Sequence, residues 1–124
     1  MSREFHLITR ERPRSDGLLD ALRKVSGDNA EPELDGDFDD PNTYINISSP
    51  DLWIEIEPPG HVEAADLEGE YGDRTLPEPD SDLCLWLTVA NIPAGAASGS
   101  AEAAWRVLED LAAHYDGVAI DAAD

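Results

Sequence analysis

The sequence predicts an α+β fold, with two helices packed on one face of a mostly antiparallel sheet of four to five strands. Three observations predict it. Apolar residues alternate with period two in "TYINISSPDLWIEIEPP" and "LCLWLTVANIP", they recur at helical spacing over 15–26 and 101–115, and the two periods take turns along the chain. A chain of 124 residues holds one domain with one modest core, so a single domain over 1–124 is expected.

"EFHLITR" puts Phe5, Leu7 and Thr9 on one face and His6, Ile8 and Arg10 on the other, a short strand rich in branched residues. The period then changes. Leu18, Leu19, Leu22 and Val25 form an apolar stripe, Ser15 is the expected N-cap, Asp16 suits the positive helix end, and Arg23, Lys24 and Gly27 suit the stop. Residues 28–43 lose all periodicity and are expected to form an acidic loop.

Ser49-Pro50-Asp51 is a turn between two alternating arms, which predicts a β-hairpin. Ile45, Ile47, Leu52, Ile54 and Ile56 supply its apolar face; Tyr44, Asn46, Ser48, Trp53, Glu55 and Glu57 supply the other. Residues 60–82, charged and rich in Gly and Pro, read as a second acidic loop with room for a short strand or a helical turn. "LCLWLTVANIP" follows as a strand, with Leu83, Leu85, Leu87 and Val89 expected beneath the helices and Cys84, Trp86 and Thr88 expected on the open face. In the last quarter Ala101, Ala104, Trp105, Leu108, Leu111, Ala112 and Tyr115 mark a second helix, Gly117 its stop, and "VAI" a final strand. Strand-helix-strand crossovers at both ends describe a ferredoxin-like or related split β-α-β sandwich with an extra strand.

Charge is the strongest compositional fact. Asp and Glu outnumber Lys and Arg by 28 to 8, a formal net charge of −20. Residues 27–83 alone hold eighteen acids against Arg74. Such a surface repels nucleic-acid phosphates and anionic headgroups, and it steers a positively charged partner inward. Neither direct nucleic-acid binding nor membrane binding is therefore expected. Salt adaptation and a GC-rich genome, which favours Ala and Arg over Lys, are alternative sources of the same composition.

Cys84 is the single cysteine, and the N-terminus lacks the apolar run of a secretory signal, so a cytoplasmic protein is expected. Asp35, Asp37 and Asp39 mimic positions one, three and five of a calcium loop. Asp40 replaces the required Gly, however, and Asn46 the bidentate Glu, so no metal site is expected. His6, His61 and His114 lack companions at zinc spacing, and no nucleophile elbow, phosphate loop or dinucleotide fingerprint is present. No cofactor and no catalytic residues are assigned.

What remains is an aromatic patch rimmed with acid. Tyr44, Trp53, Glu55, Glu57 and Trp86 are the expected contact residues, and Asp35, Asp37, Asp39 and Asp40 the expected steering charges. A small, strongly acidic α+β domain with this surface around "LWIEIEPP" and "LCLWLTV" resembles, as a class, the immunity proteins (antitoxins) of bacterial toxin systems. That resemblance implies a non-enzymatic inhibitor that covers the active site of a basic nuclease or deaminase toxin, or of another nucleic-acid-binding enzyme. The alternative is a homodimeric α+β barrel, made by joining two open sheet faces, that binds a small molecule or acts as a small enzyme.

Overall fold

Residues 84–92, the longest uninterrupted alternation in the chain, form the strand around which the sheet assembles. The computed structural model describes residues 3–26, 33–35, 40, 42–49, 52–63, 65–67, 84–96 and 99–121. Its elements are β1 (Arg3–Thr9), α1 (Ser15–Ser26), β2 (Glu33–Asp35), β3 (Ile45–Ser49), β4 (Leu52–Ile56), β5 (Gly60–Glu63), β6 (Cys84–Ile92), α2 (Ser100–His114) and β7 (Gly117–Asp121). The strands make one sheet in the order β2-β3-β4-β6-β1-β7, with β5 also on β6, and every pairing is antiparallel. Helices pack on this sheet, so the fold is α+β as predicted. Its core order β4-β6-β1-β7, with a helical connection at each end, is the split β-α-β arrangement. The sheet holds seven strands, not four or five. The surplus comes from β2, inside the acidic stretch expected to be loop, and from β5.

β5 continues β4 along the same edge of β6. Ile56 pairs with Ala90 and Gly60 with Leu87, so a four-residue step faces a three-residue step and one extra residue lies within Glu57-Pro58-Pro59. Prolines lack the N–H a ladder needs, and a bulge is where a sheet tolerates them. The slip also exchanges faces: Ile54 and Ile56 face the helices, whereas Val62 joins the cluster on the far side.

The main core lies between helices and sheet. Phe5, Leu7, Ile45, Ile47, Leu52, Ile54, Ile56, Ala90 and Ile92 meet Leu18, Leu22, Val107, Leu108 and Leu111 there. The predicted hairpin face is thus buried, as are Leu18 and Leu22 of α1 and Ala104, Leu108, Leu111, Ala112 and Tyr115 of α2, whereas Val25, Ala101 and Trp105 are partly buried against this core and Leu19 is half-buried outside it. Lys24 Nζ and Asp110 Oδ1, 3.0 Å apart, tie the two helices at the surface. Trp105 is partly buried against this core, its ring 5.3 Å from that of Phe5. No helix among the described residues is long and apolar enough to cross a membrane.

The facing of β6 corrects the sequence expectation. Ala90 pairs with Phe5 and Ile56, both in the helix-side core, so Trp86, Thr88, Ala90 and Ile92 point to the helices and Leu85, Leu87 and Val89 point away. β6 is apolar on both sides, and alternation alone does not label which side is which. Leu85 is buried with Ile8, Ile120 and Leu67 in a second cluster on the far face, Leu67 arriving from a helical turn at 65–67. Leu83 lies outside the described residues.

Two helix boundaries also differ from expectation. Arg14 O accepts from Leu18 N at 3.1 Å, so Arg14 holds the N-cap position expected for Ser15, while Asp16 Oδ1 accepts from Gly17 N at 2.9 Å. At the end of α2, Tyr115 N donates to Leu111 O at 2.8 Å and Asp116 takes the left-handed turn at φ 57°. Gly117 serves another purpose. A Cβ there would collide with the carbonyl oxygen of Ile8 and lie 2.8 Å from Thr9 Cα, because β7 enters the sheet against β1 at that residue.

Gly117→Ala is therefore expected to destabilise the fold by about 2 kcal/mol or more in urea unfolding. Gly60→Ala, where an added Cβ meets nothing within 4 Å, is expected to change stability by well under half of that. Equal losses at the two positions would contradict the close approach of β7 to β1.

Candidate functional site

The sheet face turned away from the helices divides into two halves. Over β5, β1 and β7 it is closed by the cluster of Ile8, Leu67, Leu85 and Ile120. Over the β3–β4 hairpin it is open, with Tyr44 60% and Trp53 42% exposed, the two large hydrophobic side chains most exposed among the described residues.

Register builds the rest of this surface. Asn46 pairs with Glu55, Glu55 with Asn91 and Asn91 with Glu4, so two carboxylates and two amides form one row across β3, β4, β6 and β1. In the neighbouring row Glu57 N donates to Val89 O at 2.9 Å, and Val89 pairs with His6. Tyr44, one residue before the Ile45–Ile56 pair, extends that row at its far end. Asp35 stands opposite Asn46 in the β2–β3 register. His6 Nε2 contacts Glu4 Oε1, and His6 itself is buried. Among the described residues, no Lys or Arg stands on the open half of this face; Arg10, next in the outward register of β1 after Ile8, lies at the closed end, paired with Asp116.

Trp53 is positioned by its backbone. β6 ends at Ile92, short of Trp53, whose N–H would have no partner on that edge. The buried hydroxyl of Ser100, at the start of α2, accepts it at 3.0 Å. The indole extends toward the connection after β6, with Cζ3 3.6 Å from where a Cβ on Gly95 would lie.

The predicted site residues divide accordingly. Tyr44, Trp53, Glu55 and Glu57 share the outer face as expected. Trp86 and Thr88 do not, because the β6 register turns them to the helix side. Trp86 packs there with the His61 ring centroid 3.8 Å away and the Arg12 guanidinium 5.6 Å from its own centroid. Asp40 builds the turn that leads into β3, where its Oδ1 accepts from Asn42 N and its Oδ2 from Thr43 Oγ1, both at 2.9 Å. The Asn42 N–H, then the Thr43 hydroxyl, hold its carboxyl below the ordinary aspartate value of 3.8. Asp37 and Asp39 lie outside the described residues. Glu4, Asn46 and Asn91 are additions to the expected contact residues. The alternation of β1 and β3 exposes Glu4 and Asn46, but only strand order joins them to Glu55.

No protein-family model matches the chain, and no curated protein or solved structure is significantly similar to it. The open half of the outer face carries three carboxylates, two amides and two exposed rings. No cluster of three or more His, Cys, Asp or Glu side chains suited to hold a metal occurs among the described residues.

Ser100→Ala removes the acceptor for a buried N–H and is expected to cost about 1–2 kcal/mol in denaturant unfolding while raising Trp53 mobility in fluorescence anisotropy. Unchanged stability and anisotropy would contradict the positioning role. Asp40, with a depressed folded-state pKa, contributes stability that is complete above 3.8 and lost as pH falls below that value. Asp40→Asn should accordingly flatten the acid limb of the stability–pH curve; an unaltered limb would show the turn bonds carry no linkage.

Proposed function

We propose that this protein is a non-enzymatic binding protein, an immunity or inhibitor factor that captures a basic macromolecule and occludes its active site. A nuclease or deaminase toxin, or a comparable nucleic-acid-binding enzyme, is the partner class. One observation carries the proposal: Glu4, Glu55 and Glu57 share an outer sheet face with exposed Trp53 and Tyr44, and no Lys or Arg stands among them in the described residues. Carboxylates in such an array mimic the spaced anions that a nucleic-acid site is built to receive. Rings with few rotatable bonds supply contact area at low entropic cost.

Binding would proceed in two stages. The acidic middle of the chain, with Asp35, Asp37, Asp39 and Asp40, raises the encounter rate with a cationic surface from a distance. Docking of Trp53, Tyr44, Glu55, Glu57 and Glu4 then sets the lifetime of the complex. Self-association through the same face, the homodimeric barrel, is opposed by charge: a two-fold contact would set these three glutamates against their own copies. A cytoplasmic site of action suits this role.

The test begins with capture from source-cell lysate at low salt and with coexpression of neighbouring gene products. The expected partner is a basic protein whose enzymatic activity the chain inhibits. Trp53→Ala should raise its dissociation rate by about tenfold or more. The fourfold Asp→Asn change at 35, 37, 39 and 40 should slow association and flatten its salt dependence, with little change in dissociation. A partner bound equally well by Trp53→Ala and by a Glu4, Glu55, Glu57→Gln variant would refute the assignment of this face.

A further inference from the structure

β7 ends the sheet, and its pairing with β1 fixes which of its backbone groups are used there. In an antiparallel ladder, opposed residues alternate between pairs that exchange hydrogen bonds and pairs that exchange none. Arg10 N donates to Asp116 O at 3.0 Å, which makes Ile8–Val118 and His6–Ile120 the next bonded pairs. The other side of β1 agrees. Glu57 N donates to Val89 O, so Val89 turns its backbone toward β4, Thr88 and Ala90 turn theirs toward Leu7 and Phe5, and the groups of His6 and Ile8 are left for β7. Gly117 and Ala119 are therefore the unbonded partners of Thr9 and Leu7, the closer kind of pair, in accord with the tight approach of Gly117 to Thr9 Cα. Their N–H and C=O groups point out of the sheet, where no hydrogen bond reaches them among the described residues.

Unpaired backbone groups along a strand edge are a template for another strand. The two ends of this sheet treat that hazard differently. β2 is three residues long and includes Glu33 and Asp35, and shortness and charge both discourage edge pairing. β7 lacks such protection: residues 117–120 are uncharged and contain no proline, the register is unbroken, and Gly117, Val118 and Ala119 are only half-buried. The acids at its two ends are matched by arginines of the neighbouring chain segment, Asp116 by Arg10 and Asp121 by Arg3. In a chain of net charge −20, this edge is locally balanced.

We propose that β7 is the contact of a symmetric dimer, in which it pairs antiparallel with β7 of a second copy about a two-fold axis at Val118. Charge balance removes the attraction that would draw a basic partner to this edge, and the segment is complementary to itself. Gly117 and Ala119 exchange hydrogen bonds with the partner's Ala119 and the partner's Gly117, which uses every outward group of those residues. Val118 stands directly opposite the partner's Val118, a pair of β-branched side chains on the far face. On the helix side the opposed residues are glycine and alanine, so the two layers can approach. Asp116 falls opposite the partner's Ile120 and meets no carboxylate there. A two-fold contact consumes both edges, and association stops at two. The glutamate face lies outside this contact, so either assignment stands or falls without the other.

The test combines sedimentation velocity of the full chain with amide hydrogen exchange at low and high protein concentration. A monomer–dimer equilibrium is expected, strengthened by salt that screens the like net charges. The Gly117 and Ala119 amides should exchange about tenfold or more slowly in the dimer, whereas Val118 and Ile120, bonded to β1, are protected at both concentrations. Ala119→Pro removes an outward N–H without touching the β1 ladder and should weaken the dimer about tenfold, with Val118 and Ile120 still protected; Gly60→Ala should leave it unchanged. A monomer at every concentration up to millimolar would overturn the proposal, as would a dimer whose Gly117 and Ala119 amides exchange freely. Protection of those two amides that does not vary with concentration would also overturn it, by placing another part of the same chain on this edge.

Discussion

The antiparallel register of β6 is the constraint on which the rest of this structure depends. It pairs Ala90 with Phe5 on one side and with Ile56 on the other, which joins the hairpin to β1 and closes the helix-side core. The same register sets Asn91 between Glu55 and Glu4. Packing and surface chemistry are thus two consequences of one alignment, since a slip by one residue would move every side chain of the strand to the opposite face. Where the sheet does slip, at Glu57-Pro58-Pro59, the facing changes, and β5 delivers Val62 to the second cluster beside Leu67 and Leu85. The bulge thereby separates the closed half of the outer face from the open half.

Charge and packing are arranged so that neither undermines the other. Surface ion pairs such as Arg106–Glu102 and Arg23–Asp20 contribute little to stability individually. The fold rests on apolar burial on both sides of the sheet. Carboxylates can consequently be concentrated on the open half without a cost in core packing. Asp40 is the instructive exception within the acidic segment, because its carboxylate is used to build the turn before β3.

Much of this was legible in the sequence. Leu18, Leu22, Leu108 and Leu111 fall on helical stripes, and Ile45, Ile47, Ile54 and Ile56 on one hairpin face, because each of those elements is apolar on one side only. β6 carries no such signal: Leu85 and Leu87 are as apolar as the Ala90 and Ile92 that face the helices, and partner strands decide between them. β2 is three residues long, too short for any period. Glu4 is 51 residues from Glu55 in the chain, and only the order β4-β6-β1 brings them into one row. Glycine is the usual occupant of a left-handed helix stop, which points to Gly117; the turn falls instead on Asp116, and the close approach of Ile8 requires the glycine one residue later.

The central claim is that a carboxylate-lined sheet surface carrying Trp53 stands open and favours cations. Collisional quenching in a chain whose Trp86 and Trp105 are replaced by Phe addresses it most directly. Cesium should quench Trp53 more effectively than iodide, and substituting Gln at Glu4, Glu55 and Glu57 should narrow that difference. Fluorescence that neither ion quenches, or a difference that survives all three substitutions, would contradict it.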